Sequence, residues 1–97
     1  MQINKVTVIL NDTFLIWIPV NYETEELSVS QEALNNVVDA YIDYLVSEDI
    51  DVVEALNDIT ELFVWTCEAG IVYGFYNGGT CVYEDYDYEV GDVNGNA

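Results

Sequence analysis

Nineteen Asp and Glu residues share this chain with one basic residue, Lys5, and with no Arg or His, for a net charge of −18. At most one small group of carboxylates can find a cation within the chain, so a folded state must offset strong self-repulsion by burying apolar surface. The material for that burial is present. Hydrophobic residues fill 52% of the 97 positions, with eight Tyr, three Phe and two Trp, whereas charge-rich chains that stay disordered are poor in such residues. The length fits one domain with a modest core. Order is expected over residues 2–91, with the polar residues 92–97 fraying.

The acidity is densest in residues 80–92, TCVYEDYDYEVGD, which contain no Lys, Arg or His. Read as a strand, alternation sends Tyr86, Tyr88 and Val90 to one face and Asp85, Asp87 and Glu89 to the other, with carboxylates about 6.8 Å apart. Such a ladder costs stability, because neighbouring like charges on a pleated surface repel. A solvated outer strand face that wards off other strands is the plain account of it. The wider deficit of cations makes a recognition role the sharper one.

From the N-terminus, residues 3–10 (INKVTVIL) and 13–20 (TFLIWIPV) read as two β-branched-rich strands joined by Asn11-Asp12, a two-residue hairpin turn. Both runs are apolar on both faces, which points to helices covering one side and a partner the other. Pro19 places its strand end at an edge. After an acidic connection, Ser30 caps a helix over residues 33–46 with Leu34, Val37, Val38, Tyr41, Ile42 and Leu45 inward and Glu32, Asn36, Asp39 and Asp43 outward. Asp51 with Glu54 forms a capping box for a second helix. That helix is expected to run to about residue 68 and stop at Gly70, burying Val52, Leu56, Ile59, Leu62, Phe63 and Cys67 and exposing Glu54, Asp58 and Glu61. Residues 71–76 and 80–90 then make a second hairpin around Asn77-Gly78-Gly79. The expected fold is α+β in the order ββααββ, a four-stranded antiparallel sheet with a two-helix hairpin packed on one face.

Several chemistries lack their residues. Without His or Arg the usual general base, oxyanion partner and phosphate clamp are missing, so no enzyme and no cofactor is expected. Asp85, Asp87 and Glu89 have the first spacings of a calcium loop, but Val90 stands where its turn glycine belongs and Asn96 where its bidentate Glu belongs. No metal site is assigned. Cys67 and Cys81 are two isolated thiols in a chain with no visible leader, and they are expected to stay reduced rather than pair. The apolar run 6–20 is too short to span a bilayer, and anionic headgroups would repel this surface. Direct binding to DNA or RNA needs Lys and Arg on phosphates, and the charge here has the opposite sign.

Inverted, the same electrostatics make the protein a ligand for DNA-binding surfaces. In size, acidity and lack of cations the chain resembles phage-encoded DNA mimics, among them anti-CRISPR and anti-restriction proteins, a resemblance of overall character. It implies a small cytoplasmic inhibitor made in an infected bacterium, which occupies the DNA-binding or PAM-reading surface of a CRISPR-Cas effector, where arginines otherwise read DNA. Candidate contacts are Glu84, Asp85, Asp87 and Glu89 with Tyr83 and Tyr86, then Glu54, Asp58 and Glu61, then Asp39 and Asp43. The mimicry needs these charges to lie along one side of the molecule or in a band. Other targets of the same kind are a restriction enzyme, a uracil-DNA glycosylase or a nucleoid protein. From another class comes an acidic interaction module or weak Ca²⁺-binding domain, and a homodimer through the tyrosines or the first hairpin is a further expectation.

Overall fold

A computed structural model describes residues 2–87. Tyr88, Glu89 and the tail 92–97 lie outside the described residues, so the expected fraying and the last rung of the carboxylate ladder do too.

The first hairpin forms as expected. Asn11 (φ 53°) and Asp12 (φ 64°) connect β1 (Lys5–Leu10) to β2 (Thr13–Tyr22). A two-residue turn matching the strand twist needs positive φ at both central positions, and Asn and Asp tolerate it best after glycine. Both helix starts are also where the capping residues place them. The Ser30 hydroxyl accepts from the Ala33 N–H at 3.0 Å to open α1 (Gln31–Ser47). Asp51 Oδ1 accepts from the Glu54 N–H at 3.1 Å to open α2 (Val52–Asn57).

The ββααββ order with a four-stranded antiparallel sheet is not what forms. α2 is six residues long, and residues 61–67, expected as the second half of a long helix, are strand β3 (Glu61–Cys67). Leu56, Ile59, Leu62 and Phe63 do keep a helical period. Against it stands the run LFVWT, rich in β-branched and aromatic residues, and pairing on both sides decides the outcome. β3 is antiparallel to β4 (Gly70–Asn77) from Glu61↔Tyr76 to Cys67↔Gly70, and parallel to β2 from Val20↔Leu62 to Tyr22↔Val64. Gly70 therefore ends no helix; it opens β4 with φ 147°. β5 (Thr80–Asp87) follows the Gly78-Gly79 turn and completes a five-stranded mixed sheet in the order β1-β2-β3-β4-β5. The one parallel neighbour pair follows from the chain between β2 and β3, which carries both helices across the sheet.

Pro19 sits inside this order rather than on an outer strand. The Val20 N–H donates to Asn4 O at 2.8 Å, so the nitrogen of the preceding residue points towards β3, where pairing begins only at Val20. Its missing donor costs no ladder bond.

Both helices cover one side of the sheet. Leu34, Val37, Val38, Tyr41 and Leu45 of α1 and Leu56 of α2 pack with Val6, Val8, Ile18, Val20, Leu62, Val64, Tyr73 and Phe75 in one core. Ile42, expected inside, is only partly buried. The other side of the sheet is uncovered by any described element. There Ile9 (59% exposed) and Trp17 (49% exposed) of the first hairpin stand in solvent. Among the described residues no helix is long and apolar enough to cross a membrane. Cys67 and Cys81 are free and exposed. They face Gly70 and Tyr76, near opposite ends of β4, about 20 Å apart by strand rise and beyond the reach of a disulfide.

The like-charged pairs Asp39/Asp43 and Glu54/Asp58 lie one helical turn apart, each costing a few tenths of a kcal/mol. With so few attractive partners for the carboxylates, screening should stabilise the fold. Thermal melts in NaCl from about 0.05 to about 1 M should rise by roughly 5–10 °C, the shift expected for a gain of about 1–2 kcal/mol in a domain of this size. A midpoint indifferent to salt would contradict this account.

Candidate functional site: the acidic edge strand

β5 is an outer strand of the sheet, paired on one side with β4. Cross-strand partners share a face, so its register assigns each side chain to a side. Tyr83 opposes Phe75 and Asp85 opposes Tyr73, both core residues, which puts Tyr83 and Asp85 on the helix side. Glu84 opposes Gly74 and Tyr86 opposes Val72, on the open side. A register shift between Phe75 and Tyr76 leaves Val82 as the extra residue of a bulge, 40% exposed. The expected alternation of Asp85 against Tyr86 is thus present. Asp87 pairs with Ile71 in the strand register.

On the helix side, Tyr83 is wedged among aromatic rings, with centroid distances of 5.0 Å to Tyr41, 5.1 Å to Tyr44 and 6.1 Å to Phe75. This cluster ties α1 to the last hairpin. Burial raises the Tyr83 pKa above its ordinary value, and the negative charge of Asp85, then Tyr44 and the charge of Asp43, raises it further. Asp43 of α1 and Asp85 of β5, far apart in sequence, therefore flank one phenol. Asp58 lies close by, lining a groove of about 220 Å³ with Tyr41, Tyr44, Ile50 and Val82.

On the open side, the Tyr86 hydroxyl donates to Glu84 Oε1 at 2.9 Å, and Asn21 Nδ2 donates to Glu61 Oε1. Tyr76 stands between these carboxylates. Burial raises its pKa, followed by nearby Cys81 and then by Glu84 and Glu61. Next to it, Phe63 lies 5.4 Å from Trp65 and 6.5 Å from Tyr76 between ring centroids. Gly74 makes this arrangement fit. A Cβ there would lie 2.9 Å from Trp65 Cζ3 and 3.0 Å from Tyr76 Cε1. Val72, 2% exposed yet outside the helix-side core, is buried between Trp65 and Tyr86, its partners on either side.

The expected single track of charge is therefore divided. β5 gathers Asp43, Tyr83 and Asp85 on one side and Glu61, Glu84 and Tyr86 on the other, with Asp58 at the groove. Two residues stay apart from it. Asp39 lines a different groove, with Thr7, Val8 and Ile9 of β1, and Glu54 is exposed in the first turn of α2. Phe63, Trp65 and Tyr76 were not foreseen at a binding face, Phe63 because helical periodicity had claimed it. The signal was the alternation Glu61, Phe63, Trp65. Among the described residues no three His, Cys, Asp or Glu side chains converge as a metal site needs.

The raised phenols give a test at high pH. A tyrosine whose folded pKa lies above its unfolded value near 10 adds stability that is complete below that unfolded value. It is lost as pH rises through the folded pKa, because the unfolded chain releases its protons first. Tyr41, Tyr76 and Tyr83 are all shifted upward. Unfolding free energy should hold level to about pH 10 and then fall, with the tyrosinate midpoints of Tyr41, Tyr76 and Tyr83 above 10 in the native protein. Midpoints at or below the free-tyrosine value would overturn it.

No known protein family matches the chain, and neither a curated protein nor a solved structure matches it with significant similarity.

Proposed function

We propose that the protein is a DNA mimic that inhibits a DNA-targeting defence nuclease by inserting the β5 edge into its basic DNA-binding or PAM-reading cleft. The observation that carries this reading is the grouping of Asp43, Glu61, Glu84 and Asp85 about one outer strand, remote from the chain's single cation. The single cation of the chain, Lys5, is on β1 at one edge, where its ammonium lies 5.0 Å from the Trp17 ring centroid. The acidic strand is at the other edge, four strand spacings or about 19 Å away. Carboxylates on both sides of β5 thus meet no Lys or Arg from their own chain, and a cleft lined with arginines supplies what they lack. The tyrosines beside them offer flat surfaces where bases would stack.

A CRISPR-Cas effector is the target that the chain's overall character favours. The test is displacement of duplex DNA from a purified effector; persistence of DNA on the effector at saturating inhibitor would sink the proposal. A second reading, an interaction module acting through apolar contacts, is favoured by the exposure of Ile9, Phe14 and Trp17 on the first hairpin. It predicts binding that is insensitive to salt.

A further inference from the structure

We infer that the open side of the sheet is an arginine-selective surface, accepting guanidinium groups laid flat against Trp65, Tyr76 and Tyr86 with Glu61 and Glu84 as their acceptors. The inference rests on the binding role just proposed for β5 and names the chemistry that its open side takes.

Each component is on this one side of the sheet. Glu61 and Glu84 flank Tyr76 closely enough to oppose its ionisation. Each has one oxygen already oriented by a neighbouring donor, Asn21 for Glu61 and Tyr86 for Glu84. Trp65 and Tyr76 converge over Gly74, the one position between them with no side chain of its own. Tyr86 is 43% exposed. The partner must be cationic, given a net charge of −18, and the same side of the sheet already holds one cation on an indole, Lys5 over Trp17.

Arginine fits this surface better than lysine for a geometric reason. A guanidinium is planar, stacks on aromatic faces and presents a fork of donors to carboxylates, all at once. An ammonium is compact and strongly hydrated, so it gains from the charge and little from the rings. Carboxylates alone would not discriminate between the two.

The experiment compares hexa-arginine with hexa-lysine, two peptides of equal charge, by calorimetric titration at low salt. The wild type should prefer hexa-arginine about tenfold. Tyr86→Ala, at an exposed position, and Gly74→Ala, which displaces Trp65 without changing any charge, should each bring that ratio to within about twofold of unity by lowering the hexa-arginine affinity. Circular dichroism confirms that each variant is folded; should Gly74→Ala not fold, Tyr86→Ala decides. Equal affinity of the two peptides for the wild type, or a preference that survives Tyr86→Ala, would overturn the inference. The mimic reading is judged separately by DNA displacement: displacement without arginine preference sinks this inference alone, and preference without displacement sinks that reading alone.

Discussion

Replacing Asp43, Glu61, Glu84 and Asp85 together by Asn or Gln should weaken binding to a basic DNA-binding cleft a hundredfold or more. These four carboxylates lie on the two sides of one edge strand and its neighbours, and a cleft that closes on β5 desolvates them together. Losing about 3 kcal/mol across four charge-assisted contacts already amounts to a hundredfold. A matched control separates location from charge. Asp12, Glu25, Glu26 and Glu32 are exposed and lie on the first turn, the β2–α1 connection and the start of α1; changing these four instead removes the same charge and should cost less than tenfold. Salt gives the second arm. Raising NaCl from about 50 to about 200 mM should reduce wild-type affinity a hundredfold or more, as it does for DNA on surfaces making several phosphate contacts. Competition against labelled duplex reads both. Equal losses in the two quadruple variants would show a diffuse field rather than a site at β5, and salt-independent affinity would assign the binding to apolar contacts.

Phe75→Ala should cost about 3–5 kcal/mol, the range for emptying a buried aromatic position. Phe75 is fully buried, and its ring centroid lies 4.6 Å from Tyr41. Its partners Leu62 on β3 and Tyr83 on β5 flank it in the sheet. Removing the ring therefore loosens the seat of α1 and the packing beneath Tyr83 together. Against a total stability of about 5–15 kcal/mol, such a loss brings the protein near its unfolding threshold at room temperature. Chemical denaturation would register it as a lower midpoint with an unchanged slope. A loss below about 1 kcal/mol would mean that the aromatic cluster contributes little to holding the helix on the sheet.

Local signals in the sequence carried much of this fold. Asn11-Asp12, Ser30, Asp51 and Gly78-Gly79 each sit where a turn or cap needs their chemistry, and the apolar stripe of α1 faces the core. Residues 59–67 were ambiguous for a physical reason. Ile59, Leu62 and Phe63 satisfy a period of 3.6, while Leu62 and Val64 against Phe63 and Trp65 satisfy a period of two. Only pairing with β2 and β4, distant in sequence, selects between them. That one ambiguity hid the fifth strand, the parallel pair and the aromatic plate at once. At β5 the alternation was legible. What stood beside it was not, because Asp43 and Tyr76 arrive from α1 and β4 through tertiary packing.

Among the described residues, the two antiparallel ribbons of the sheet pair where Val20, Asn21 and Tyr22 run beside Leu62, Phe63 and Val64. Hydrogen bonding there is brief compared with either ribbon, so this is where the molecule can flex or open first. Slow amide exchange should accordingly end abruptly at that junction, with the β3–β5 meander protected as one cooperative unit and the β1–β2 ribbon as another. A cleft that grips β5 would thus hold the C-terminal unit and leave the N-terminal one to breathe.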